Sequence, residues 1–362
     1  MANSEINKRD FSLELMRIIA IFFVVFIHTG DSGYFLFSTF EVGSFWYWFY
    51  MPISIFSNFA VPIFFMISGA VLLKKEESIT TILKKRVLRI GIDILAVNLI
   101  YYVFDLINGN IPFLGFSNLI DFGMLLLSGK IRPFIWFLYS YLVFLILLPF
   151  LRKVVKLASI HEYKYLFCVS IIIMSVKPVF ELLSLNYYEL NNAFNTIISN
   201  VLLYPLLGYC IYYQFDEKRI RYRKLGLLWI MNVIGVAISC LLCFYRMTKT
   251  GETTETQAQQ FHSMISIFNS SLLFITIKKI CSSAKIYKVK KAVLVLGECV
   301  FGVYLFHVLF MNLNIMDSIK NVMVSNTVLP LTMCLLYCVI IFSLSMLLTF
   351  LMKSIPIIRR YL

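Results

Sequence analysis

Arg17-Ile-Ile-Ala-Ile-Phe-Phe-Val-Val-Phe-Ile-His28 (RIIAIFFVVFIH) places ten apolar residues between an arginine and a histidine, with no other ionisable group between them. A soluble amphipathic helix would break such a run with a polar stripe every third or fourth residue. An unbroken apolar segment instead needs hydrocarbon or a deep core around it, and a helix crossing a bilayer takes roughly 20 such residues. Similar runs recur along all 362 residues, which are 60% hydrophobic and only 14% charged, with a mean hydropathy of +0.83. Soluble domains are about 25% charged. The fold class is therefore all-α: a polytopic integral membrane protein, without the alternating short segments of a β-barrel.

Ten spans are expected, near 15–37, 50–73, 87–106, 134–151, 165–185, 196–213, 225–245, 261–279, 292–315 and 328–352. The apolar but short segment 113–129 suits a re-entrant or interfacial piece. The first run lacks a small-x-small cleavage site and continues past the length of a signal core, so it reads as a retained helix. No loop between spans exceeds about thirty residues, so one transmembrane domain over 1–362 is expected, without a separate soluble domain.

The net charge of +14 is clustered between the apolar runs, at Lys8/Arg9, Lys74 to Arg89, Arg152 to Lys164, Lys218 to Lys224, Lys278 to Lys291 and Lys353 to Arg360. Clusters of this kind are orientation signals rather than a nucleic-acid footprint. With the N-terminus in the cytoplasm they all fall inside. Lys130, Arg132, Arg246, Lys249 and Lys320 then fall outside, and Lys177 lies within a span. Both termini are expected in the cytoplasm. The eight cysteines lie mostly in apolar runs and behave as small hydrophobes. Cys240-x-x-Cys243 has no second pair or histidine beside it, and reads as packing. No metal site is expected.

A helix turns about 100° and rises 1.5 Å per residue, so eleven steps from Arg17 to His28 come within about 20° of whole turns and span about 16 Å. The two side chains share a face, with Arg17 at the cytoplasmic mouth and His28 near mid-depth. Glu14 lies on the same face, three residues before Arg17, and can pair with it. An ionisable group at that depth is costly against lipid and normally faces a bundle interior or a water-filled cavity. A neutral histidine bonded to a neighbouring helix satisfies this. So does a general base or proton relay, for which a pKa of about 6.5 is suited.

This first span, with an acidic residue before the arginine, resembles the membrane-bound acyltransferase-3 family of bacterial O-acyltransferases, which decorate envelope glycans. The resemblance continues through Phe64-Phe65-Met66-Ile67-Ser68-Gly69, the basic Lys85-Arg86-Val87-Leu88-Arg89-Ile90, Trp136-Phe137-Leu138 with Pro149, and Tyr304-Leu305-Phe306-His307. The landmarks run in order from about 14 to 310. Phe134 and Ile135 stand where many relatives carry a histidine before the tryptophan. Cys299 and Gly302 stand in the region of a frequent serine-tyrosine pair.

The resemblance implies an O-acyltransferase, most simply an O-acetyltransferase. It would carry an acyl group from acyl-CoA, a co-substrate rather than a bound cofactor, to a hydroxyl of a cell-surface polysaccharide or its lipid-linked precursor. It further implies a bacterial plasma (inner) membrane location and a requirement for Arg17 and His28. His28, Arg17 and Glu14 are then the catalytic candidates. Arg86, Arg89 and Ser68 are donor-binding candidates, because guanidinium forks suit phosphates. Arg86 and Arg89 also read as topology charge, Arg89 with an intrahelical partner in Asp93, and Ser68 as a small residue for helix packing. His307, Tyr304, Trp136 and Arg132 are acceptor or relay candidates. Lys130, Arg132 and Trp136, on the side poor in basic groups, suggest an anionic glycan or a lipid-linked phosphate. Glu298 is a further intramembrane charge able to balance an arginine. Phe45-Trp46-Tyr47-Trp48-Phe49-Tyr50 reads as an interfacial aromatic belt, or as a stacking platform for a sugar. His161 and His262 read as solvent-facing. The rival readings are a transporter or flippase of a lipid-linked glycan, for which inverted repeats and broken helices would be the sign, and a scaffold in a polysaccharide-synthesis complex.

Overall fold

The computed structural model describes residues 10–182, 201–251, 263–283, 287–325 and 330–359. Parts of the expected spans and outer loops fall on residues 183–200, 252–262 and 326–329; these parts, and His262, lie outside the described residues.

The first helix, α1 (Phe11–Ile27), starts where Asp10 can cap it. The Asp10 carboxylate accepts from the backbone N–H of Ser12 (2.7 Å) and Leu13 (3.2 Å), satisfying donors that the first turn leaves without partners. Its other oxygen accepts from the Tyr212 hydroxyl (2.5 Å), so the cap also ties α1 to a distant segment. The helix ends ten residues earlier than hydropathy suggests. Thr29 donates to the Phe26 carbonyl (2.6 Å) and accepts from the Tyr34 N–H (3.2 Å), and Gly30 takes φ +58°, a left-handed turn that glycine adopts without a Cβ clash. The apolar residues that follow enter the core within short 3-10 turns, with Tyr34, Leu36 and Phe37 buried. The expected span 15–37 is corrected accordingly: the helix ends at Ile27, His28 caps it, and the rest of the stretch is packed turn.

The remaining described α-helices longer than four residues are α2 (Phe45–Ser57), α3 (Ala60–Leu72), α4 (Leu88–Ile107), α5 (Phe116–Ser128), α6 (Trp136–Leu157), α7 (Ile160–Leu182), α8 (Leu203–Tyr209), α9 (Tyr222–Thr250), α10 (Met264–Ser283), α11 (Tyr287–Met311), α12 (Asn314–Ser325) and α13 (Pro330–Lys353). The described residues contain no strand. Seven of the described helical stretches are long and apolar enough to cross a membrane, among them Phe45–Leu72, which joins α2 to α3. The chain is a multi-pass membrane protein. The short 113–129 segment is the thirteen-residue α5, with Phe116, Leu119, Met124 and Leu127 exposed.

The aromatic run starting at Phe45 serves two environments. Phe45 and Phe49 are exposed, whereas Tyr47 and Tyr50 are buried, Tyr47 against Phe37 and Phe244. None of the six lines either cavity described below, so belt and core describe the run better than a sugar platform.

Helix α1 sits at the centre, packed against α3, α10, α11 and α13. Helices α3 and α8 approach backbone to backbone. A Cβ on Gly69 would overlap the Pro205 carbonyl, and one on Gly208 would overlap the backbone of Met66. Two glycines placed reciprocally allow the close crossing on which membrane helices rely. At the far end of α3, Arg152 of α6 donates to the Leu72 carbonyl (3.1 Å) and to Glu77 (2.7 Å), filling an acceptor that a helix C-terminus leaves open.

Candidate active site

Between α1, α3, α4, α6 and α11 lies a cavity of about 360 Å³. Arg17, Lys85, Arg86 and Arg89 line one end; His28, Phe134 and Tyr304 line the other; Ser68, Trp136 and Glu298 also contribute. The sequence-predicted face therefore exists. Arg17 and His28 look into one space, and the donor candidates border it.

Two cations of the mouth, Arg17 and Arg86, are held closely by carboxylates outside the cavity lining. Arg17 Nη1 meets Glu14 Oε1 at 2.6 Å, with the Glu14 side chain only 3% exposed. Glu14 fits because Gly297 faces it; a methyl there would overlap its carboxylate. Arg86 is engaged differently from the expectation of an open phosphate fork. Its Nε and Nη2 donate to Glu77 Oε2 (3.0 Å) and Oε1 (2.6 Å), so one edge of the guanidinium is occupied and the Nη1 edge, with the second N–H of Nη2, is left for a ligand. The Arg86 fork, helped by Arg152 and opposed by partial burial, holds the Glu77 carboxyl at about 2. Arg89 is exposed and stands 4.0 Å from Asp93, a loose pair. Glu298 lies on the cavity wall, and Lys353 donates to its backbone carbonyl (2.5 Å).

Ser68 borders the cavity, but its hydroxyl donates to the Phe64 carbonyl one turn back (2.8 Å). Its neighbour Gly69 carries the helix packing. Tyr304 likewise donates to the Phe134 carbonyl (2.7 Å), which fixes the short turn before α6 rather than presenting a hydroxyl to a ligand.

His28 and His307, 279 positions apart, meet. His307 Nε2 lies 3.3 Å from His28 Nδ1, and the rings sit 4.9 Å apart at 63°. Carbonyl oxygens assign the tautomers, because they only accept. His28 Nδ1 is 2.7 Å from the Val24 carbonyl, so it carries the proton and Nε2 keeps its lone pair. His307 Nδ1 lies 2.8 Å from the Tyr304 carbonyl and 3.1 Å from that of Val303. It too is protonated, which turns the Nε2 lone pair of His307 towards the Nδ1–H of His28, a hydrogen given first to Val24 at 2.7 Å and shared only weakly with His307 at 3.3 Å. His307 is fully buried (0% exposed). His28, enclosed by the helices, is nevertheless exposed, and the surface it exposes is cavity wall. A base with an open lone pair, oriented through its other nitrogen by a second group, is the arrangement used to activate a hydroxyl.

Phe134 is the residue that sequence reasoning left without a role. Its ring packs edge-on against His28, His307, Tyr304 and Tyr101. With His28 it borders both this cavity and a second, larger one on the side away from the arginines. The other two departures are accounted for by packing: Cys299 is buried, and a Cβ on Gly302 would overlap Thr349 of α13. Arg132 belongs to the second cavity. It is not an unpaired cation, since its Nη2 donates to Asp105 Oδ1 (2.7 Å). His161 is exposed near the start of α7, away from both cavities. Among the described residues no three His, Cys, Asp or Glu side chains form a group that could hold a metal ion.

A family model described as an acyltransferase domain matches residues 10–350. No curated protein and no solved structure matches the chain.

Proposed function

That this chain belongs to the acyltransferase-3 family, and is therefore an acyltransferase, is the premise from which we propose an O-acyltransferase of cell-envelope glycans. The donor is acyl-CoA, with acetyl the simplest acyl group. The acceptor is a hydroxyl of a surface polysaccharide or of its lipid-linked precursor. The chain forms one transmembrane domain of about ten spans, with both termini in the cytoplasm of a bacterium and the arginine mouth opening there. The observation that carries this reading is a cavity with cations at one end and an oriented histidine base at the other.

The chemistry then follows the geometry. Arg89, Lys85 and the Nη1 edge of Arg86 hold the diphosphate and 3′-phosphate of the donor, as fixed cations do for phosphates. Arg17, held by Glu14, supports them from α1. The narrow apolar walls, Val61, Phe64, Phe137 and Leu145 among them, take the pantetheine arm and bring the thioester carbon towards His28. The acceptor oxygen attacks that carbon as His28 Nε2 removes its proton. When the tetrahedral intermediate collapses, the C–S bond breaks and the imidazolium returns the proton to the leaving sulfur. The Val24 carbonyl, and more weakly the His307 lone pair, stabilise the transient imidazolium by accepting from Nδ1–H, as the third member of a triad does for its histidine.

A cavity on each side of one wall is also what a carrier of lipid-linked glycan would need. Mass spectrometry of envelope glycans from strains with and without the gene separates the two. Loss of O-acyl groups with normal export is the expected result, and unchanged acylation with lost export would replace this reading by the transporter.

A further inference from the structure

On the side of His28 and Phe134 away from the arginines lies the second cavity, about 900 Å³. Its polar wall differs in kind from that of the first. Asp105, Asn108 and Asn110 come from the end of α4 and the turn after it; Asn312, Asn314 and Asp317 come from the end of α11 and the start of α12. The turn is built to bring them in. Gly109 takes φ +73°, and the backbone N–H groups of Asn110 and Ile111 return to the Asp105 carbonyl (2.9 and 3.3 Å). The charges in and beside this wall are matched. Arg132 pairs with Asp105, which also accepts from the Asn110 amide (3.2 Å); the Arg132 guanidinium lies over the Tyr101 ring at 5.3 Å; Lys320 pairs with Asp317 at 3.1 Å.

Arg132, the cation of this wall, spends Nη2 on Asp105 and Nη1 on the Ile131 carbonyl (3.3 Å), so its charge is balanced within the protein. A balanced cation favours an uncharged group here over the anionic one that the sequence suggested. Four asparagine amides, each able to donate and accept, match a ligand whose own groups do both, namely neighbouring hydroxyls. His28 lies at the inner wall of the same space, where one such hydroxyl would meet its lone pair.

Resting on the acyltransferase reading above, we propose that this second cavity is the acceptor subsite and takes an uncharged polyhydroxyl unit. Donor and acceptor enter from opposite ends and react in one ternary complex across His28. The acyl carbon passes directly from sulfur to the acceptor oxygen, and the hydroxyl proton reaches the released thiol by way of His28, with no acyl-enzyme between.

The test uses the purified full-length protein in lipid vesicles, radiolabelled acetyl-CoA, and glycan from a strain lacking the gene, separated into neutral and anionic fragments. Neutral fragments are expected to accept label, with initial-rate lines that intersect when both substrates are varied. Asn110→Ala and Asn312→Ala should each raise the acceptor KM about fivefold, the effect of losing one such hydrogen bond, with the acetyl-CoA KM unchanged. Arg89→Ala should do the reverse. Label entering anionic fragments alone, parallel initial-rate lines, or asparagine variants with an unchanged acceptor KM would overturn the subsite while leaving the acyltransferase intact. No transfer to either fraction by the unmutated protein would count against the acyltransferase reading itself, and the subsite would fall with it.

Discussion

His307 Nε2 faces His28 Nδ1 across 3.3 Å, joining two helices that enter the chain 276 residues apart at Phe11 and Tyr287. Because both Nδ1 atoms face backbone carbonyls, His28 is left with an open Nε2, and its Nδ1–H, given first to Val24, also faces the His307 lone pair. His307 is therefore a positioning residue, while His28 touches the reacting atoms. His307→Gln is expected to lower kcat by about 100-fold, the low end of general-base contributions, with both KM values within twofold of the unmutated protein. A rise in KM with kcat preserved would assign His307 to substrate binding instead.

Glu14 is held between Arg17 and Gly297, and the fit leaves no space for a methyl group. Gly297→Ala must displace the carboxylate and with it the guanidinium at the mouth. The expected cost is about 1–3 kcal/mol of stability, typical of overpacking, together with a raised acetyl-CoA KM. Thermal unfolding in detergent and donor-dependent initial rates check the two halves separately. An unchanged melting temperature and donor KM would show that Glu14 is not confined.

Glu77 supplies the pH-dependent part of the mouth. Its carboxyl is held at about 2 in the fold, chiefly by Arg86, against an ordinary value near 4.3. A carboxyl with a lowered pKa stabilises the fold above its unfolded value, and that contribution is lost as pH falls towards the folded one. Glu77→Gln should therefore melt below the unmutated protein at pH 7, and the gap should begin to close below about pH 4.5. A gap that is constant from pH 7 to pH 3 would mean that the Glu77 charge is not what holds the loop.

Asp105 and Arg132 form a pair with little exposure, at 8% and 20% of their side chains. Removing one partner leaves a mostly buried charge uncompensated, and Arg132→Met is expected to cost about 2–3 kcal/mol, somewhat less than a fully buried pair. The double variant Asp105→Asn with Arg132→Met should recover most of that loss in a chemical-denaturation series. Equal losses in the single and double variants would show that the pairing carries no weight.

The sequence revealed one face of the site well and the other poorly. Arg17, Glu14 and His28 lie on a single helix, where the 3.6-residue period converts spacing into direction. Their shared cavity could be anticipated for that reason, and so could the basic border supplied by Arg86 and Arg89. The end of α1 could not, because Tyr34, Leu36 and Phe37 are as apolar when buried in core as when facing lipid; Thr29 and Gly30 gave only weak local signs. His28 with His307, Arg86 with Glu77, and Arg132 with Asp105 depend on which helices become neighbours, which no local period encodes. The second cavity draws on asparagines near helix ends, where asparagine is common for reasons of turn chemistry alone. Phe134 was visible only as a departure, and its role as wall between two cavities required both to be seen.

The central claim is that His28 Nε2 removes the acceptor proton while an arginine-held acyl donor waits beside it. The most direct measurement is transfer of radiolabel from acetyl-CoA to deacylated glycan by His28→Ala in vesicles, with acetyl-CoA binding measured on the same sample. The expected rate is at least 100-fold below that of the unmutated protein, with a donor dissociation constant within twofold. Transfer near the unmutated rate, with the donor bound normally, would contradict it.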